Sequence, residues 1–297
     1  MSLYVVVGAG PVGRETARLA AEEGRDVVLT SRSAGSTRSG SVRTVAADAT
    51  DLSQLARICK GADVIFMCAM APYHRWPAEF FPILDGTVKA AETVGARLVV
   101  LGNLYGYGEN AATPVSPALP LDPTTRKGTV RTIMWQRAAA ATVPALEVRA
   151  SDFLGQGAVT YFSLLALPAL LKKESVVAFP GNPDAPHAWS FTRDTAKTLI
   201  AAARYTGKWG RAFHVPSQHV SIRDLVAEFA TALNINSPAI RQMTTTELAD
   251  IGFHEALEML YLFKKPFQVD AADTERLLEV SASSLDVMVQ DTLRSPA

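Results

Sequence analysis

Leu3-Tyr4-Val5-Val6-Val7-Gly8-Ala9-Gly10-Pro11-Val12-Gly13 is the stretch on which the fold turns. Five β-favouring apolar residues run into a glycine-rich turn. Pro11, with its φ already set for a first helical turn, then opens a segment in which Val12, Thr16, Leu19 and Ala20 share one face. The pattern is strand, tight turn, helix. Gly24 stops the helix, Val27 to Thr30 makes a second strand, and the Ser/Gly-rich segment from Ser31 to Ser41 reads as a loop. The alternation continues with strands at Val42 to Ala46, Val64 to Met67, Arg97 to Leu101 and Ala145 to Ala150. Helices fall between them at Leu52 to Lys60, Ala78 to Val94 and Thr125 to Thr142. Strands separated by helices of this length require crossover connections, so the fold class is α/β, a doubly wound parallel sheet covered on both faces.

The six residues Gly8 to Gly13 match G-x-G-x-x-G directly after a strand and at the mouth of a helix, the context in which that motif cradles a dinucleotide. Gly8 permits the tight turn, Gly10 lets the backbone approach a pyrophosphate, Gly13 lets helix and strand pack closely, and Pro11 and Val12 begin the helix whose N-terminus faces the anion. Gly8 and Gly13 also have P-loop spacing, but Arg14-Glu15 stands where Lys-Ser/Thr is required, which excludes a nucleoside triphosphatase of that type. An NAD-selective site has an acidic residue near the end of the second strand; here that strand closes with Thr30-Ser31-Arg32. The Arg32 guanidinium, with the Ser31 hydroxyl beside it, suits a 2′-phosphate and predicts NADP(H) in preference to NAD(H). Asp48-Ala49, after the third strand, either meets the adenine edge or forms the turn that caps the next helix.

Lys and Arg total 29, Asp and Glu total 29, and 48% of the 297 residues are apolar, as in an ordinary globular protein and unlike a basic nucleic-acid binder. Two cysteines, Cys59 and Cys68, are too few for a disulfide framework and fit a reducing compartment. The N-terminal apolar run has no basic segment before it, and the later one, Ala158 to Leu171, is too short to span a bilayer. These features predict a cytoplasmic protein with no membrane partner. The five histidines form no metal-binding pair, so no metal is expected, and the chain lacks the G-x-S-x-G of a serine hydrolase.

Gly102 to Thr124 is a long irregular segment beyond a strand's carboxyl end, where open α/β sheets bind ligands, and it reads as a site wall. Pro72-Tyr73-His74-Arg75-Trp76-Pro77 is a second aromatic and basic loop, expected over the nicotinamide end of the cleft. After Asp152 the alternation loosens. The division expected is a nucleotide-binding domain over 1–155, to which 187–206 returns, and a smaller, mostly helical substrate-binding lobe over 156–297.

With these features in place the chain resembles the NAD(P)-dependent epimerase/dehydratase family of the extended or atypical short-chain dehydrogenase/reductase superfamily, over most of its length. The resemblance rests on the nucleotide turn, Cys68-Ala69-Met70 after the fourth strand, the Gly102 to Gly108 segment after the fifth, and Arg149 to Gly155 after the sixth. It implies that Cys68, Ala69, Met70 and Gly102 line the cofactor, that Phe153 belongs to the segment flanking the nicotinamide, and that Phe191 to Ala196 returns the chain to the cofactor domain. It also implies an oxidoreductase or epimerase acting on a small carbonyl, alcohol or sugar-like substrate, and a homodimer through the helices Ala78 to Val94 and Thr125 to Thr142.

The catalytic residues depart from the family. Gly102-Asn103-Leu104-Tyr105-Gly106-Tyr107-Gly108 resembles its Ser-Ser-x-x-x-Tyr-Gly signature with Asn103 at the serine position. The usual interval then puts Lys127 at the tyrosine position and Arg131 at the lysine position, and this region has no Tyr-x-x-x-Lys. Asn103 can still donate to a carbonyl oxygen, and either Lys127 or Tyr107 can exchange its proton, Lys127 being pushed towards its neutral form by Arg131 four residues on. Arg131 can equally take the ribose or phosphate contact, both cations can be solvated helix charges, and Tyr105 and Tyr107 are alternative proton donors that serve as readily as packing aromatics. Loss of the tyrosine and lysine keeps a second class open, an NADP(H) sensor without turnover, as in NmrA-like members of the superfamily.

Overall fold

The computed structural model describes residues 2–33 and 37–294. In chain order the first part runs β1 (Leu3–Val7), α1 (Pro11–Glu22), β2 (Asp26–Ser31), β3 (Thr37–Ser39), β4 (Val42–Ala46), α2 (Leu52–Ile58), β5 (Val64–Met67), α3 (Phe80–Val94), β6 (Arg97–Asn103), α4 (Arg126–Ala139) and β7 (Ala145–Ala150). The later part runs β8 (Asp152–Leu154), α5 (Leu167–Leu171), β9 (Val176–Pro180), β10 (His187–Phe191), α6 (Thr192–Arg204), β11 (Ala212–His214), β12 (Ser217–Val220), α7 (Ile222–Ala232), β13 (Ala239–Met243), α8 (Thr245–Asp250), α9 (Ala272–Leu278) and α10 (Leu285–Leu293).

Eight strands form the main sheet in the order β11-β7-β6-β5-β1-β2-β4-β3, and every pairing but β3 with β4 is parallel. Because successive side chains of a strand face opposite ways, β1 sends Val5 and Val7 into one core and Tyr4 and Val6 into another. Helices α1 and α6 pack together over one face, and α2, α3 and α4 cover the other. From β1 the chain winds outward through β2 to β4, then returns to β5 on the other side of β1 and winds away through β6 and β7. Between β1 and β5 the direction of winding reverses, and the crevice at their carboxyl ends is where sheets of this kind hold ligands.

The segment expected as a loop from Ser31 to Ser41 contains β3, an antiparallel edge strand on β4, while residues 34–36 lie outside the described residues. The lobe carries two small sheets as well as helices, β12-β10-β8 and β13-β9. The chain comes back to the main domain twice, through α6 against α1 and through β11, which pairs with β7. The apolar stretch from Ala158 breaks into a π-helical turn at Phe162–Ala166 followed by α5, and no described helix is long and apolar enough to cross a membrane.

Where β11 joins the sheet, a buried polar network ties the long loop after β6 to the sheet edge. His214 Nδ1 faces the Asp270 carbonyl at 3.1 Å, which fixes the ring proton there and leaves Nε2 to accept from the Tyr107 hydroxyl at 2.7 Å. Arg149 donates to the same phenol oxygen and to Glu147 Oε2, the latter at 2.6 Å. Burial, with the Arg149 cation nearby, pulls the His214 pKa from 6.5 down to about 3. The unfolded chain therefore binds a proton in this window that the folded chain does not. The stabilisation is whole above pH 6.5 and is lost as the pH falls towards 3. In urea unfolding at a series of pH values, His214→Gln, which keeps an acceptor for Tyr107, is expected to flatten the wild-type slope by up to roughly 1.4 kcal/mol per pH unit between about pH 6 and 4. Parallel slopes for the two proteins would contradict this account of the network.

Candidate functional site: a nucleotide cleft with a phenol pair at its end

A cleft of about 840 Å³ lies along the carboxyl ends of β4, β2, β1, β5 and β6. Its floor at the switch point is the turn after β1. Gly8 has φ +107°, and a Cβ there would lie 2.4 Å from Ala69 N; a Cβ at Gly13 would lie 1.9 Å from Gly8 O. Both positions thus require glycine for the backbone to fold down beneath the segment after β5. At Gly10, by contrast, a Cβ would meet nothing within 4 Å, so the turn leaves open space over the helix mouth. Gly10 is the N-cap of α1 and supplies no side-chain cap, so the first-turn amides face the cleft without an internal acceptor of that kind. A diphosphate fits this arrangement, since its oxygens can take those amides and its charge the positive end of the helix dipole.

All the positions expected to touch the nucleotide line this cleft: Gly8, Gly10, Pro11, Val12, Gly13, Ser31, Arg32, Asp48, Ala49, Cys68, Ala69, Met70, Gly102 and Phe153. Arg32 is exposed at its edge. Asp48 accepts from Thr50 N at 2.9 Å and Thr50 Oγ1 at 2.8 Å, bonds that hold its carboxyl below the usual range, and the nearby Arg32 adds to the effect. The capping of α2 belongs to Asp51, which accepts from Gln54 N at 2.9 Å. Gly102 has a second reason to be glycine, because a Cβ there would meet Glu147 Oε1 at 2.2 Å. Burial pushes the Cys68 thiol up to about 12, so it sits by the cleft as an inert thiol.

The candidates for chemistry separate. Asn103 and Arg131 line the cleft; Lys127 and Tyr107 do not. Lys127 is buried, and its ammonium donates to Glu258 at 2.9 Å and Glu255 at 3.1 Å, both from the lobe. Its ammonium is thus engaged by two carboxylates of the lobe and turned away from the cleft. Tyr107 is 2% exposed and its hydroxyl is engaged by His214 and Arg149, which makes it part of the sheet-edge network. Arg131 reaches the cleft beneath β6, with its guanidinium 5.0 Å from the Trp76 ring centroid and 4.6 Å from that of Phe80, and donates to the Leu101 carbonyl at 3.3 Å. Burial lowers its pKa, yet a guanidinium remains charged at neutral pH. Its Nε is buried and has no hydrogen-bond partner within the protein.

Beside Asn103 and Arg131 the fold brings together two phenols that lie 32 residues apart. Tyr73, from the aromatic loop after β5, and Tyr105, from the loop after β6, have hydroxyl oxygens 2.7 Å apart, and both residues line the cleft. Burial raises the pKa of each, and for Tyr105 the neighbouring Tyr73 adds to it, so both keep their protons at neutral pH. Two hydroxyls in one hydrogen bond hold two protons and use one, so one O–H remains to donate elsewhere. The Lys127 ammonium stands 5.3 Å from the Tyr73 ring centroid, and Arg131 acts on both phenols as a positive charge. Asp152 also lines the cleft and faces His187 Nε2 at 2.9 Å, while His187 itself is buried against Phe263 and orients that carboxylate from behind. Neither the phenol pair nor Asp152 is legible from spacing, although Tyr73 lies in a loop the sequence puts over this end of the cleft. No group of three or more potential metal ligands occurs among the described residues.

The profile of a protein family described as NAD(P)H-binding matches residues 8–152. No curated protein sequence matches the chain. Among solved structures, the Bordetella bronchiseptica enzyme WbmH in complex with NAD+ aligns over 99% of this chain and 97% of its own, with a TM-score of 0.78 and 17% identity. UDP-glucuronic acid 4-epimerase from Bacillus cereus in complex with NAD aligns over 97% and 96%, with a TM-score of 0.79 and 14% identity. UDP-glucose 4-epimerase from Thermotoga maritima, with UDP-glucose, aligns over 98% and 97%, with a TM-score of 0.79 and 15% identity. Residues 8–152 thus match a family described as NAD(P)H-binding, and along nearly its whole length the chain has the Rossmann fold of these solved structures.

Proposed function

We propose that the protein is an NADP(H)-dependent oxidoreductase that interconverts a small carbonyl compound and its alcohol. The observation that carries this reading is the Tyr73–Tyr105 phenol pair, protonated and hydrogen-bonded at 2.7 Å, at the end of a cleft built for a dinucleotide. When bound, the reduced nicotinamide supplies a hydride, two electrons with one hydrogen nucleus, to the carbonyl carbon and is itself oxidised. The protein's residues do the rest. Asn103 and the free phenol O–H donate to the carbonyl oxygen and stabilise the negative charge that develops as the C=O π bond breaks. The phenol then gives its proton to that oxygen, and the pair regains one from solvent. The partner hydroxyl, Arg131 and the Lys127 ammonium stabilise the transient phenolate, which assigns Lys127 an electrostatic part rather than the proton exchange itself. Arg131, which lines the cleft beside Asn103, is the residue we assign to the ribose next to the nicotinamide.

At the other end of the cleft, Arg32 and Ser31 are assigned to a 2′-phosphate, an assignment supported by the absence of an acidic residue at the end of β2. The absence of a Tyr-x-x-x-Lys pair between Gly102 and Thr142 favours the second reading, a protein that binds the nucleotide and signals its redox state without turnover.

Two measurements follow. In fluorescence titrations NADPH is expected to bind more tightly than NADH, and Arg32→Ala to weaken NADPH by about tenfold, roughly 1.4 kcal/mol, while leaving NADH unchanged. Equal affinities that Arg32→Ala does not alter would overturn the NADP(H) preference. In NADPH-oxidation assays against a panel of carbonyl compounds, Tyr105→Phe and Tyr73→Phe are each expected to lower kcat by about 100-fold or more with cofactor Kd unchanged, and the double variant to lose little beyond either single one. Wild-type turnover that survives both substitutions would remove the phenol pair from the mechanism, and tight NADPH binding with no turnover on any carbonyl would leave the sensor reading.

A further inference from the structure

Off the nicotinamide end of the cleft opens a second chamber of about 400 Å³ that shares Tyr73, Tyr105 and Asp152 with it. A substrate presented to the phenol pair has to occupy this space, so its walls bear on what the substrate is. They are largely aromatic and aliphatic. Tyr161 stacks on Phe253 at 5.7 Å and meets Phe263 edge-on, and Leu164, Met259 and Leu262 fill the gaps. The rim is apolar too: Leu164, Val159 and Met70 are 48%, 73% and 54% exposed, unusual positions for side chains of that kind to stand together.

The polar groups of the walls are mostly engaged with one another. The Tyr161 hydroxyl donates to the Ala256 carbonyl at 2.6 Å, Asp152 faces His187 and Glu255 faces Lys127. Besides the phenol pair there remain the Thr160 hydroxyl and the exposed His74 ring, few hydrogen-bonding points in a largely apolar room. No lysine or arginine is among the residues lining this chamber, and two carboxylates are. A nucleotide diphosphate carries negative charge that a protein site normally meets with cations or a helix N-terminus. The lining offers neither: its charged side chains are Asp152, which faces His187, and the half-exposed Glu255, which Lys127 already pairs from behind the wall. That argument holds even though solved structures with this fold include ones in complex with UDP-glucose.

We propose that this chamber takes an uncharged, mainly apolar carbonyl compound or its alcohol, of the size of an aryl ketone, and excludes nucleotide-diphosphate sugars. The inference rests on the oxidoreductase reading for its orientation, the carbonyl oxygen at the phenol pair and the apolar body among Tyr161, Phe253 and Leu164. The ligand class itself rests on the chamber walls.

The test reads binding as well as turnover. Full-length protein, with and without saturating NADP+, is titrated calorimetrically with acetophenone and 1-phenylethanol in one arm and with UDP and UDP-glucose in the other. The aryl probes are expected to bind and the uridine nucleotides to give no heat with the NADP+-saturated protein. Leu164→Arg, a change at an exposed rim position, is expected to weaken the aryl probes at least tenfold and to leave NADP+ binding unchanged. UDP-glucose binding to the NADP+-saturated protein, no binding of either aryl probe, or aryl binding indifferent to Leu164→Arg would each overturn the proposal. Aryl binding without NADPH consumption supports the chamber assignment while counting against the oxidoreductase reading, so the two fail separately.

Discussion

The structure depends on one close approach, that of the turn after β1 to the backbone after β5. Gly8 lies so near Ala69, and Gly13 so near Gly8, that neither position has room for a side chain. That contact lets α1 begin directly beneath the carboxyl ends of the central strands and aims its first amides into the crevice where the winding of the sheet reverses. The positions assigned to the nucleotide, from Arg32 at one end to Arg131 at the other, are arranged along the cleft this turn opens.

From there the chemistry is set by how charge and protons are distributed. The nucleotide side presents amides, a helix terminus and a guanidinium, all suited to phosphate. The substrate side presents phenols, an amide and apolar walls, with its carboxylates tied to His187 and Lys127. A guanidinium buried against the Trp76 and Phe80 rings acts on the phenol pair as a positive charge. On the reading proposed above, the phenol comes from the loops after β5 and β6, while the cations near it, Lys127 and Arg131, stay on α4.

Much of the fold was legible because it is local. β1, β4, β5 and β7 begin and end where the apolar runs do, and the Gly8 to Gly13 turn announces both a crossover and its ligand. The lobe was less legible. β9 is completed by β13 more than fifty residues later, and β10 is a short run just after Pro183 and Pro186 whose partners are β8 and β12. Pairing of that kind is nonlocal and leaves little periodicity to read. The same limit governs the site. Lys127 looked like a proton donor because its partners, Glu255 and Glu258, lie 128 and 131 residues away, and Tyr73 looked like a loop aromatic because its partner Tyr105 comes from another strand's end.

The central claim is that the turn at Gly10 is open because a diphosphate lies there. Calorimetric titration of NADPH into wild-type protein and Gly10→Val, with thermal melting of both, tests it most directly. A Cβ at Gly10 meets nothing within 4 Å and the residue's φ of −72° suits any side chain. The account therefore predicts a melting temperature close to wild type and an NADPH affinity reduced by about 100-fold or more. Undiminished NADPH binding by Gly10→Val, or no binding by the wild-type protein, would contradict it.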